Sequence, residues 1–282
     1  MILTKLKQAI LLGCLFLSLA SFPSKGQYSA GDTPQAGKQV NIREGLVGDV
    51  IDNYWIYLPR NFDDSRSWPI ILFLQGGNGI SPDSTTSKIS GPARFALADN
   101  KDKLLDSYVK DSFIIINPHM RPGSYWERQW YQQYSSLSSI LDHALENFAG
   151  DPGRIYVTGL SRGGNGTWGV AQSLNSRIAA VLPVCGLTHG LTDYTCFKDL
   201  PVWITHGTDD QTHTYEASLA AADSIEEVNG VKFLRNTSIS LTTEELAGHK
   251  YIFTTFEGNG HNAWTPTYSR AEIYAWLLMQ TK

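Results

Sequence analysis

Residues 154 to 169 read RIYVTGLSRGGNGTWG. An apolar, β-branched run leads into a serine set between glycines, and two more glycines follow closely. The pentad Gly159-Leu160-Ser161-Arg162-Gly163 matches G-x-S-x-G. It falls where the run Arg154 to Thr158 predicts a strand and Arg162 to Leu174 predicts a helix. A nucleophile at such a junction occupies a tight turn that lifts its hydroxyl clear of the chain. Side chains two positions to either side would collide with the strand and the helix, hence glycine there. The helix N-terminus also brings backbone N–H groups and a positive dipole end next to Ser161. The chain has no G-K-[ST] ending after its glycines, which argues against a phosphate-binding loop.

Outward from this pentad, strand-like and helical runs alternate. Val50 to Leu58, Pro69 to Leu74, Phe113 to Ile116, Ala179 to Cys185, Val202 to Thr205 and Tyr251 to Phe256 predict strands. Several are short and apolar throughout, as in a parallel sheet covered on both faces. Ser136 to Ala149 carries Leu137, Ile140, Leu141, Ala144, Leu145 and Phe148 on one helical face. Glu216 to Val228 and Ala271 to Met279 predict further helices. Asn117-Pro118 and Gly150-Asp151-Pro152-Gly153 read as breaks. Residues 231–249 read as a polar surface insertion. The pattern predicts a single α/β domain over residues 40–282 with a mostly parallel central sheet flanked by helices.

A serine hydroxyl needs a base, and in this fold acid and base follow the serine in that order. His261 lies in GNGHNAW, after a predicted strand and before the last helix, so a loop over the strand ends delivers it. The loop HGTDD offers Asp209 and Asp210, and spacing does not choose between them. The oxyanion needs two N–H donors. Arg162 supplies one amide, and the glycine-rich loop Gln75 to Gly79 supplies the other. His206, Asp209, Asp210 and His213 also read as a metal-ligand cluster. The triad reading is preferred because it gives Ser161 and His261 a partner.

The first 27 residues place Lys5 and Lys7 before an apolar run and then small polar residues, the three regions of a signal peptide. Residues 28–39 read as a flexible leader. The expected location is periplasmic or secreted, with no membrane span in the mature chain. A lipid-bearing Cys14 and an uncleaved anchor are the alternatives. Beyond that segment Cys185 and Cys196 remain, and they read equally as a disulfide or as two buried thiols. A formal net charge of -4 argues against nucleic-acid binding.

GLSRGGNGTW, HGTDD and GNGHNAW together resemble the exported esterases of the α/β-hydrolase superfamily. The nearest group is the one labelled predicted peptidase or phospholipase/carboxylesterase-like, related to polyhydroxybutyrate depolymerases and feruloyl esterases. The resemblance implies an α/β-hydrolase fold with Ser161 as nucleophile, Asp210 as acid and His261 as base. It places the oxyanion donors at Gly77 and Arg162. Gln75 stands where the family has a histidine. Ester hydrolysis without metal or organic cofactor is the implied activity. The expected substrate is a small-molecule or polysaccharide-linked ester, such as an acetyl or feruloyl ester. A peptidase acting on short peptides and a silent carbohydrate-binding protein are the alternatives. His119, Arg121, Tyr125, Trp126 and Trp130 crowd the segment after FIII, which overhangs the ligand-binding edge of such a sheet. His119, Trp126 and Trp130, with Trp264 of the histidine loop, are the expected substrate contacts; a packed surface loop with buried tryptophans is the equal alternative for the segment after FIII.

Overall fold

The computed structural model describes residues 34–43, 45–77, 85–123, 127–237 and 240–282. The signal-peptide expectation for residues 1–27 and the first half of the leader lie outside them. The strands are β1 (Gln39–Ile42), β2 (Ile51–Tyr57), β3 (Trp68–Leu74), β4 (Ile114–Met120), β5 (Gly150–Leu160), β6 (Ala180–Val184), β7 (Val202–Gly207), β8 (Leu234–Asn236) and β9 (Tyr251–Phe256). The helices are α1 (Thr85–Lys88), α2 (Pro92–Leu97), α3 (Lys103–Asp111), α4 (Tyr134–Asn147), α5 (Arg162–Ser173), α6 (Tyr215–Asn229), α7 (Thr243–Gly248), α8 (Trp264–Tyr268) and α9 (Ala271–Leu278).

The strands form one sheet in the order β1-β2-β4-β3-β5-β6-β7-β9-β8. β2 pairs antiparallel with both β1 and β4, and every later pair in that order is parallel. Alternation along a strand divides the core into two layers. Ile70, Leu72 and Leu74 of β3 belong to the layer that holds Leu137 and Ile140 of α4, Trp168 of α5 and Ala222 of α6. Ile71 and Phe73 belong to the other, where Ala93 of α2, Val109 of α3 and Trp276 of α9 pack. The whole of β3 is buried, which explains its unbroken apolar sequence.

Four segments differ from expectation. β4 runs through Asn117-Pro118 to Met120, past the proline at which the sequence predicts an end. β3 pairs with it only from Ile114 to Ile116, while β2 continues to Met120. Pro118 therefore sits where one side of the strand is not paired to β3, a position that tolerates a missing N–H. β5 begins at Gly150, inside the expected break, with a register shift against β3 between Trp68 and Ile70. The polar stretch 231–249 contains β8, a short edge strand, and α7, opened by a Thr242–Glu245 capping box. At the end of the expected leader, Ala36 bridges to Leu58 and Gln39 belongs to β1, so that segment already joins the sheet.

Among the described residues no helix is long and apolar enough to cross a membrane.

Candidate active site

Ser161 sits between the end of β5 and the start of α5, with φ 54°. A non-glycine residue in that region costs about 1–3 kcal/mol, which the packing around it must offset. Its amide donates to Val184 O (3.0 Å) and its carbonyl accepts from Asn165 N (2.9 Å). The flanking glycines are required by contact. A β-carbon on Gly163 would overlap the carbonyl of Leu74, and one on Gly159 would overlap the carbonyl of Gly163. Only bare backbone lets α5 press this closely on β3 and β5.

The other two groups come from the ends of β7 and β9. These loops are joined by backbone bonds from Thr208 N to Phe256 O (3.1 Å) and from Asp209 N to Asn259 O (2.9 Å). His261 is thereby held with Nε2 2.8 Å from Ser161 Oγ and Nδ1 2.7 Å from Asp210 Oδ2. Asp209 is exposed, and Asp210 is buried. Asp210 Oδ1 accepts from the amides of Thr212 (2.8 Å) and His213 (2.9 Å). Burial alone would raise the Asp210 pKa. The bonds from His261 and the two amides outweigh it and hold the carboxyl below its ordinary value. Tertiary burial thus separates two aspartates that are neighbours in sequence.

Two further histidines complete this shell. His206 Nε2 faces Asp210 Oδ2 (3.0 Å) and His213 O (2.9 Å), both acceptors, so that nitrogen carries the proton. Its Nδ1 accepts from Ser218 Oγ (2.7 Å). His213 Nδ1 donates to Cys185 O (2.7 Å), and its ring lies 5.1 Å from that of His261. Burial lowers the pKa of both, so each is held neutral. With Asp209 turned outward and these N–H groups committed, the four residues do not converge as a metal cluster. The ligand atoms of Cys185, Asp210 and His261 do lie within 4.8 Å of one another. Burial pushes the Cys185 thiol up to about 12. Cys185 and Cys196 are both free thiols.

The serine faces a cavity of about 350 Å³ whose walls include Gly76, Gly77, Leu160, Thr212, His261 and Trp264. Arg162 opens α5, so its amide lies at the positive end of that helix. Gly77 also lines the cavity, and a β-carbon there would meet open space. Of the expected substrate contacts, Trp264 lines the cavity, with its ring edge-on to His261 at 5.4 Å. Trp130 does not line it. It is fully buried and donates from Nε1 to Gln75 O (2.9 Å), bracing the loop that carries Gly77. His119 also lies away from it, paired with Asp52 at 2.7 Å on the antiparallel side of the sheet. β4 carries His119 as a buried strand residue, where the shorter expected strand would have left it in an overhanging loop. Trp126 and Tyr125 lie outside the described residues.

A strand-serine-helix turn, an acid after β7 and a histidine after β9 thus meet at the carboxyl edge of a mostly parallel sheet. The chain has the α/β-hydrolase fold. Solved structures of that fold superpose on it. The feruloyl esterase module from Clostridium thermocellum, complexed with sinapinate, aligns at TM-score 0.61 and 13% identity, covering 90% of this chain and 95% of that one. The ferulic acid esterase from Anaeromyces mucronatus aligns at 0.59 and 16%, covering 90% and 95%. The acetyl xylan esterase from Aspergillus awamori aligns at 0.57 and 15%, covering 85% and 99%. No family model matches the chain. Among curated proteins, the bifunctional acetylxylan esterase/xylanase of Neocallimastix patriciarum is 26% identical over 107 residues, 38% of this chain and 16% of that protein. Dipeptidyl-peptidase 5 of Porphyromonas gingivalis is 24% identical over 156 residues, 52% of this chain and 21% of that protein. Both matches therefore span less than a quarter of the relative's length.

Proposed function

We propose that the chain is an exported serine esterase acting on carboxylic esters, with an acetyl or feruloyl ester on a polysaccharide as its substrate class. The observation that carries this reading is the unbroken relay from Ser161 Oγ through His261 to buried Asp210, at 2.8 and 2.7 Å. In the first step Ser161 Oγ bonds to the ester carbonyl carbon while His261 Nε2 takes its proton. Asp210 holds the ring with Nδ1–H toward the carboxylate and stabilises the imidazolium. The amides of Gly77 and Arg162 receive the oxyanion. Collapse breaks the ester C–O bond, and His261 returns the proton to the leaving alcohol. Water, deprotonated by the same nitrogen, then releases the acid from Ser161. No step is assigned to a metal or organic cofactor. The names of the acetylxylan and feruloyl esterases above support the substrate class, and the N-terminal sequence pattern supports export.

The test is turnover of 4-nitrophenyl acetate and butyrate by wild type and Ser161→Ala. The variant is expected to lose at least about 1,000-fold in kcat. Equal rates would refute the reading. The likeness to dipeptidyl-peptidase 5 favours a second reading, a peptidase using the same relay. Aminoacyl and peptidyl amides compared with aryl esters separate the two.

A further inference from the structure

The cavity beside Ser161 continues past Trp264. A second hollow of about 110 Å³ adjoins it, and Ser90, Leu160 and Trp264 stand in the walls of both. Phe95 and Tyr268 line this extension. The Tyr268 hydroxyl is engaged with Thr158 Oγ1 at 2.8 Å. Arg94, on the last turn of α2, forms part of the same wall and is exposed.

The setting of Arg94 differs from that of most arginines in this chain. Arg60, Arg121, Arg154, Arg177, Arg235 and Arg270 each lie against a carboxylate. Arg94 has no ion pair or side-chain hydrogen bond among the described residues. None of the described residues lining either hollow is acidic, although the chain carries a net charge of -4. A guanidinium offers five N–H donors in a planar fork that matches a carboxylate. Beside it, aromatic walls accept the apolar part of a ligand.

We propose that this extension is a subsite for a carboxylate on the ester substrate, with Arg94 as the group that recognises it. The proposal rests on the esterase reading above and narrows its substrate class. The carboxylate belongs either to the acyl part, as in the monoester of a dicarboxylic acid, or to the alcohol part, as in an acidic sugar.

The test compares three chromogenic esters. 4-Nitrophenyl butyrate is neutral, 4-nitrophenyl hemiglutarate carries the carboxylate on the acyl chain, and 5-butyryloxy-2-nitrobenzoate carries it on the leaving group. Arg94→Gln is expected to lower kcat/KM for one of the two acidic esters by about fivefold, mainly through KM, as for a solvent-screened ion pair. Turnover of the butyrate is expected to stay unchanged. Arg94→Glu should push the acidic ester lower still, and added salt should shrink the wild-type preference. The acidic ester that responds tells which part bears the charge. Two acidic esters indifferent to both variants would overturn the subsite, as would a butyrate rate that falls in step with them. The two readings fail separately, because wild type inert toward the neutral butyrate would sink the esterase reading whatever Arg94 does.

Discussion

At the scale of single residues, the proposed chemistry depends on how Asp210 is held. It accepts from His261, from His206 and from two backbone amides. His206 is fixed as the Nε2–H tautomer because that nitrogen faces two acceptors, Asp210 Oδ2 and His213 O. Replacing it with phenylalanine keeps most of the volume and deletes the donor. The remaining contacts preserve the fold around Asp210, while the carboxylate loses one of its charge-assisted bonds. On the proposed mechanism His206→Phe is expected to lower kcat by about tenfold and to shift the pH profile, since a less stabilised carboxylate is more basic. His206→Gln, which keeps an N–H donor, should recover part of both effects. Steady-state rates across pH for the two variants check this, and identical profiles would show that His206 only fills space.

At the scale of elements, the glycines around the serine serve two different ends. Gly163 lets α5 touch the carbonyl end of β3, whereas Gly77 faces open cavity. Gly163→Ala is therefore expected to cost about 3 kcal/mol of stability, the range of an overpacked core, read as a lower urea midpoint. Gly77→Ala should leave that midpoint in place. The three motif loops are legible in the sequence because each is a local event: a strand ends, a glycine-rich turn follows, and one reactive side chain is exposed. What sets Asp210 apart from Asp209 is not legible, because the difference is burial beneath the loop of His261, 51 residues further along the chain. His119 escapes local reading for a related reason. Asn117-Pro118 reads as a stop, but pairing to β2 carries β4 past it. The part of the cavity wall that Phe95 builds is also hidden, since α2 is too short to show a periodic apolar face.

At the scale of the whole molecule, the buried histidines tie stability to pH. Burial holds the folded-state pKa of His206 and His213 below the ordinary value of about 6.5. The unfolded chain therefore takes up protons on these rings before the folded one does. Their contribution to stability is complete above about pH 6.5 and is lost as pH falls toward the folded values. The lowered pKa of Asp210 acts in the same direction, but only at more acidic pH. Thermal melts between about pH 8 and 5 are expected to show a falling Tm on the acid side. A His213→Gln variant should show a shallower fall over that interval. A Tm that rises on acidification would contradict the neutral state assigned to both rings.

The backbone bonds that lace the loop after β7 to the loop after β9 have a mechanical consequence. Asp210 and His261 ride on one stiff platform, whereas Ser161 belongs to a separate turn between β5 and α5. Motion of the sheet edge is then expected to alter the carboxylate–imidazole spacing less than the gap from imidazole to hydroxyl. That gap is the coordinate through which a distant change in the scaffold would tune the site.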